Sequence, residues 1–445
     1  MPRHLTLFEH DLLFRENPRY GAAMDRVSSA DFDALQALVA GGVDDEHEEV
    51  FDDGGDRVPY TQLFRLRNAK GELALQFRNF AGVIETPSGL QIEVLPKVDG
   101  DVGKARATLM RMLRAAGRIP PITADPASLR PVGLPLVEFF ARQFLDAVTH
   151  LLKRGLLSGY ERVQRNERFL KGRLLVARQL RHNLVRADRF YTEYDRFLLS
   201  RAENRLIRRA LEVVAAMVAE PANQRLCREL LFAFDDVPAS AEIQADFDRC
   251  IKDRSLAHYD DALLWARLVL LRMQPLGASG KARVRALLFP MERLFEECVG
   301  VGLRKHYGPQ ATVLPQLRRH CLVTHNGKAY FQLRPDYLLE QGGNPRWVVD
   351  AKWKLLDARP SAGVKKYGLP QADLYQLYAY GHKYLRADSG DRTLFLVYPR
   401  TEAFREPLAP FEYEPGHVLH VIPFDLERFE LVGMREREGH AMSRG

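Results

Sequence analysis

The sequence predicts an α+β multidomain chain. A β-rich N-terminal domain (1–102) leads into a mainly helical middle region (103–280) and a C-terminal α/β domain (281–445). Three observations carry this expectation. Apolar residues alternate with period two before about residue 100, then switch to helical spacing. After Gly277-Ala278-Ser279-Gly280 the pattern resets to a helix, a strand-rich meander, a helix and further strands, the order of a compact α/β unit. At 445 residues the chain is also too long for one comfortable core, so two or three domains follow.

In the first region Leu73, Leu75 and Phe77 alternate with Ala74, Gln76 and Arg78, and Leu90, Ile92 and Val94 with Gln91 and Glu93. Thr86-Pro87-Ser88-Gly89 lies between the two runs, and a hairpin is expected there. Pro96 ends the second strand. In the middle region Leu109, Met110, Met112, Leu113 and Ala116 make one helix. Leu136, Phe139, Phe140, Phe144, Ala147, Val148 and Leu151 make a longer one. The Pro-rich segment from Ile119 to Pro131 separates them. Helical pattern continues through 201–219, 223–234, 240–252 and 258–273. In the third region a helix at 290–305 precedes strands near 311–324, 328–339 and 346–354. A helix at 370–386 and strands at Thr393–Tyr398 and 417–424 follow.

Composition is that of an ordinary globular protein, 46% hydrophobic and 28% charged. No apolar run is long enough to span a bilayer, and the opening MPRHLTLFEHDLLF is no signal peptide, so a cytoplasmic protein without membrane contact is expected. Cys227, Cys250, Cys298 and Cys321 form no CxxC pair, and the 13 histidines form no ligand motif, which argues against zinc and disulfides. Eight acids crowd 44–56, read as a loop. Eleven Lys/Arg against three acids lie between Lys153 and Arg189. That stretch is either a phosphate-binding surface, with Lys171, Arg173, Arg178 and Arg181 as its DNA contacts, or a solvated face. Gly172-Arg173 within it either touches DNA or caps a strand. Gly277 to Ala282 is no Walker loop, because Pro275 and Ala282 replace the first Gly and the Mg²⁺-binding Ser/Thr. It is read as a linker, and the chain is expected to bind no nucleotide.

The chemistry is expected in Tyr330 to Leu356, YFQLRPDYLLEQGGNPRWVVDAKWKLL. Acids and a lysine inside apolar strands are costly unless paired or metal-bound. Asp350 and Lys352, two apart, share a strand face. A five-residue loop, 341–345, would pair Asp336 with Asp350, and direct cross-strand neighbours can grip one divalent cation. A six-residue loop would put Asp336 on the opposite face unless a bulge intervened. Phosphodiester hydrolysis accounts for this collection: carboxylates hold a hard cation and a lysine stabilises developing charge. The alternative is a surface ion pair. Gln376 and Tyr380 lie four apart on the next helix and share a face. Upstream, Glu296 or Glu297 offers a third acid.

This ordered set resembles the PD-(D/E)XK nuclease superfamily and its subset with a QxxxY helix motif. Further stretches, Gly82-Val83-Ile84, Leu90 to Lys97, Leu170 to Leu174, Tyr191 to Asp195, Phe289 to Glu296 and Asp373 to Gln376, resemble the McrC family over about 80–425. These are the nuclease subunits of modified-cytosine restriction systems. The resemblance implies an Mg²⁺-dependent DNA endonuclease (Mn²⁺ as substitute) with Asp336, Asp350, Lys352, Gln376 and Tyr380 catalytic. Asp336, Asp350 and Glu296 would hold the metal. It also implies a hexameric, GTP-hydrolysing AAA+ ring, McrB-like, engaged by the N-terminal part. Deleting residues 1–100 is then expected to leave a folded nuclease. A stand-alone or repair-type nuclease, and a non-catalytic activator of a motor ring, are the alternatives.

Overall fold

The computed structural model describes residues 4–17, 25–40, 49–51, 57–59, 63–120, 135–250, 254–272, 275–276, 284–359, 366–385, 392–413 and 416–433. Most of the acidic run, the linker 277–281 and the Pro-rich segment beyond Pro120 lie outside them. The fold is mixed α+β.

The chain divides into two compact units, cut differently from the expected three regions. One lies within 134–274; the other joins 2–119 to 275–445. The reason is a shared sheet. Strand Phe80–Glu85 pairs antiparallel with Gln91–Leu95 on one side and with Val284–Pro290 on the other. Gln91–Leu95 in turn pairs parallel with His4–Phe8. Gly82 sits where the backbones crowd: at φ 145° an added Cβ would lie 2.0 Å from the Leu287 carbonyl oxygen, so only glycine fits. Ile84, Ile92, Val94, Val284 and Leu288 are buried in one core with Phe32, Leu35, Phe64 and Leu75. A deletion of residues 1–100 therefore removes three strands of the sheet that seats Val284–Pro290, so the rest of that compact unit is not expected to stay intact.

Two local expectations also change. The run Glu72–Phe77 joins a different, four-stranded sheet with Leu12–Arg15 and Phe64–Ala69. The hairpin across 86–89 is instead made by Phe80–Glu85, whose six residues are nearly all buried and so lack alternation. The helical unit holds a small sheet as well, with Phe190–Leu198 between Gly159–Glu167 and Arg173–Leu174. Around it the expected helices appear at Leu136–Arg154, Ala202–Met217, Pro221–Ala233 and Ile243–Arg249. The apolar stripe of Leu136–Arg154 is buried at Phe140, Phe144, Val148 and Leu151.

The C-terminal part is built on a seven-stranded sheet. Its order begins Thr312–Pro315, Tyr337–Gln341, Asn344–Ala351, Thr393–Pro399, His417–Asp425. The first pairings are antiparallel; the two after Asn344–Ala351 are parallel. Helix Gln371–Tyr384 packs Leu377, Tyr380 and Tyr384 against Leu338, Val348, Leu394 and Leu419. Helix Met291–Tyr307 meets the residues of opposite parity, with Gly300 against Tyr337 and Gly302 against Phe424. A sheet covered on both faces favours parallel, apolar central strands, which is why an acid within them is conspicuous.

Candidate active site

The carboxylate hairpin turns on two residues. Gln341 pairs with Asn344, and Gly342 and Gly343 have φ 59° and 81°, as a tight primed turn requires. That turn alone would set Asp336 against Val349. A β-bulge between Leu339 and Glu340 adds Arg346 to the second strand and shifts the register by one, giving Leu339↔Trp347 and Tyr337↔Val349. Extended by one position, that register would set Asp336 against Asp350. The ladder itself ends at Tyr337↔Val349, and the expected five-residue loop is replaced by the two-residue turn.

Asp336 is fixed from the partner strand: the Ala351 N–H donates to its Oδ2 at 2.7 Å. Asp350 is 1% exposed, and neither carboxylate oxygen accepts a well-directed hydrogen bond. Its neighbour is Lys352, whose Nζ lies 2.7 Å from Asp350 Oδ2. That lysine also donates to Gln376 Oε1 at 3.2 Å, Gln376 Nε2 donates to Tyr380 Oη at 2.7 Å, and Tyr380 donates to the Arg334 carbonyl at 2.9 Å. The helix pair Gln376 and Tyr380 thus braces the lysine.

Electrostatics follow from burial. Desolvation, then Asp350 and Glu296 nearby, push the Asp336 carboxyl well above the usual range. Desolvation raises Asp350 too, with Lys352 opposing. For Lys352, burial lowers the pKa, but Asp350 and Asp336 outweigh it and hold the ammonium charged.

Of the two candidate helix acids, Glu297 is engaged by Arg118 and Arg293. Glu296 lines the same pocket as Asp336, accepts from Gln316 Nε2, and is raised by burial. It does not complete a cage: among the described residues no three Asp, Glu, His or Cys side chains converge as a metal site. The pocket measures about 850 Å³ and is lined by Asp336, Lys352, Glu296, Arg318, Arg334 and Lys354, among others.

Several lining or supporting residues escape sequence reasoning. Lys354 pairs with the buried Asp373 at 2.9 Å. Trp353, 1% exposed, donates from Nε1 to Glu9 at 3.0 and 2.9 Å. Lys97 closes this cluster, its N–H on Glu9 Oε2 and its Nζ 3.2 Å from the Trp353 carbonyl. Alternation in Lys352-Trp353-Lys354 is a local signal for Lys354; nothing local signals Glu9.

The sequence-predicted DNA contacts belong to the other compact unit. Lys171, Arg173, Arg178 and Arg181 are exposed there. Lys171 Nζ lies 5.7 Å from the Tyr194 ring centre, and the Arg178 guanidinium 5.4 Å from that of Tyr191. Leu184 and Val185, at 78% and 94% exposure, accompany them. The four cysteines are unpaired, and no helix among the described residues is long and apolar enough to cross a membrane.

A buried acid pair beside a braced lysine, on a sheet covered by helices, defines a mixed α+β protein with a pocket lined by acids and bases alike, and comparison narrows that class. The McrBC 5-methylcytosine restriction system component family matches residues 75–399, so the chain belongs to that family. Among solved structures it is similar to a chain in a refined half-complex from the tetradecameric assembly of Thermococcus gammatolerans McrB AAA+ hexamers with bound McrC. There the TM-score is 0.70 at 19% identity, covering 95% of this chain and 94% of that one. A second similarity is to the Thermococcus gammatolerans McrBC complex, with TM-score 0.51 and 22% identity over 67% of this chain and 87% of that one. Comparison with curated proteins finds no significant match.

Proposed function

We propose that the chain is the endonuclease subunit of a modification-dependent restriction complex. It hydrolyses DNA phosphodiesters with Mg²⁺ in the manner of PD-(D/E)XK nucleases and works with a GTP-hydrolysing AAA+ ring. The observation that carries the reading is the hairpin, which brings Asp336, held by the Ala351 N–H, near a buried Asp350 whose Oδ2 is ion-paired with Lys352 and whose Oδ1 has no donor. A buried carboxylate oxygen without a donor is costly, and a cation beside it offsets the cost.

The donor set fits Mg²⁺, which is commonly held by one or two carboxylates with water and substrate phosphate completing its shell. Asp336 and Asp350 would hold it, and when bound it supplies an activated water and charge neutralisation at the phosphate. The protein's own groups do the rest. Lys352 is ion-paired with Asp350 and donates one of its three N–H groups to Gln376, which leaves its ammonium able to reach the attacking water or a phosphate oxygen. Arg318 and Arg334 on the pocket wall suit the non-bridging oxygens.

The test is DNA cleavage with Mg²⁺, with and without a candidate ring, on modified and unmodified DNA. Asp350→Ala and Lys352→Ala are expected to lower cleavage by roughly 100-fold or more while leaving the fold intact. A variant that cuts near the wild-type rate overturns the assignment.

A further inference from the structure

We propose that the ribbon formed by His320–His325 and Lys328–Leu333 is a DNA-gripping arm that tracks the backbone of duplex DNA and delivers it to the adjacent pocket. The inference rests on reading that pocket as a nuclease site.

The ribbon is a sheet of its own: its two strands pair antiparallel, and among the described residues no third strand joins them. Asn326 and Gly327, at φ 50° and 74°, close it in a tight turn. Most of its residues are open to solvent, and Phe331 (73% exposed), Val323 (47%), Leu322 (44%) and Tyr330 (44%) crowd onto it. An isolated two-stranded hairpin is marginally stable in water, and four large apolar side chains on one call for a covering partner.

Charge identifies the partner. From Cys298 to Pro335 there is no Asp or Glu, in a chain with 58 acids among its 445 residues. Arg318, Arg319, Lys328 and Arg334 are distributed over the ribbon and its two legs. Arg319 is pinned to Glu340 at 2.6 Å, while Arg318 and Arg334 enter the pocket wall. A polyanion matches this; an acid-free protein surface does not. A two-stranded ribbon also has the width of a major groove.

Geometry then couples arm to site. Tyr384 Oη lies 2.8 and 2.9 Å from the carbonyl oxygens of Leu317 and Leu333, holding both legs together. Asp336 follows the second leg by three residues. Phe331 adopts φ 56°, an unfavourable conformation for an aromatic residue, and the ladder skips its pairing with Leu322. Such strain persists where a surface needs the side chain displayed.

The experiment uses the full chain and a short fluorescent duplex, without divalent metal so that binding is read apart from cutting. Lys328→Ala, on the ribbon and outside the pocket wall, is expected to weaken binding and to flatten the slope of log affinity against log salt by about 0.9, the share of one phosphate no longer neutralised. Phe331→Gly relieves the backbone strain, so the protein should melt no lower than wild type yet bind DNA several-fold more weakly. Unchanged affinity and salt slope in both variants overturn the proposal. So does a Phe331→Gly variant that loses self-association while keeping its DNA affinity, since the ribbon is then an interface between copies of this chain. The two readings separate cleanly. Wild-type protein that never cuts, with ribbon variants that still lose DNA, sinks the nuclease and spares the arm; normal cutting by the ribbon variants does the reverse.

Discussion

Asp336 and Asp350 lie close enough in a buried setting for each to act on the other, so the metal-free protein carries their repulsion. Neutralising one acid should relieve it. Asp336→Asn keeps an acceptor for the Ala351 N–H, and is expected to raise the metal-free melting temperature by a few degrees, for about 1 kcal/mol, while abolishing cleavage. Calorimetry in chelator checks it; a lower melting temperature would show that Asp336 is held mainly by its hydrogen bond. Glu9 gives a pH effect with a definite sign. Burial first of all raises its pKa from 4.5 to about 7, against opposing help from Lys97 and Trp353. A carboxyl raised on folding contributes stability that is complete below its unfolded pKa and is lost as pH climbs through its folded one. Between about pH 4.5 and 7 this amounts to roughly 3 kcal/mol. Glu9→Gln should flatten that part of the stability profile, as denaturant titrations at several pH values will read.

At the scale of elements, the bulge at Arg346 is the device that sets the site. Removing Arg346 converts the bulged ladder to a regular one with the same partners, Leu339 with Trp347 and Tyr337 with Val349. That deletion should keep cleavage within about tenfold of wild type. Removing Val348 instead moves Asp350 onto the Tyr337 face and should abolish cutting. If both deletions are equally inactive, the bulge aims the acids by its own bend. The same hairpin shows what is legible in the sequence. Asp350 and Lys352 follow from strand parity, and Gln376 and Tyr380 from helical spacing, because both periodicities are local. The expected loop is wrong: Gly342-Gly343 makes a shorter turn, and the bulge brings the register back to Tyr337 with Val349, the one that a five-residue loop would have set. Phe80–Glu85 escapes a search for alternation because a strand buried on both faces has none to show. Gly159–Glu167 escapes it for the opposite reason, its sequence being largely polar. Glu9 and Trp353 are 344 residues apart, and no local rule reaches that far.

For the whole molecule, the central expectation is dependence on a motor. Full-length chain mixed with a candidate AAA+ ring and GTP should co-elute on size exclusion, accelerate phosphate release, and cut modified DNA only while GTP is consumed. A chain that cuts unmodified DNA by itself and never co-elutes is a stand-alone nuclease. Truncations cannot substitute for this test, since the N-terminal strands are part of the same sheet as Val284–Pro290.

That sheet also dictates an order of events during synthesis. Phe80–Glu85 leaves the ribosome roughly 200 residues before Val284–Pro290, its antiparallel partner. At about 5–20 residues per second the delay is on the order of 10–40 s. Throughout it, one edge of an apolar strand waits unpaired while the intervening helical unit, compact in its own right within 134–274, is free to fold. Slow translation across that insertion would lengthen the exposure, and the nascent chain should be most prone to aggregation, or most dependent on chaperones, just before residue 290 emerges.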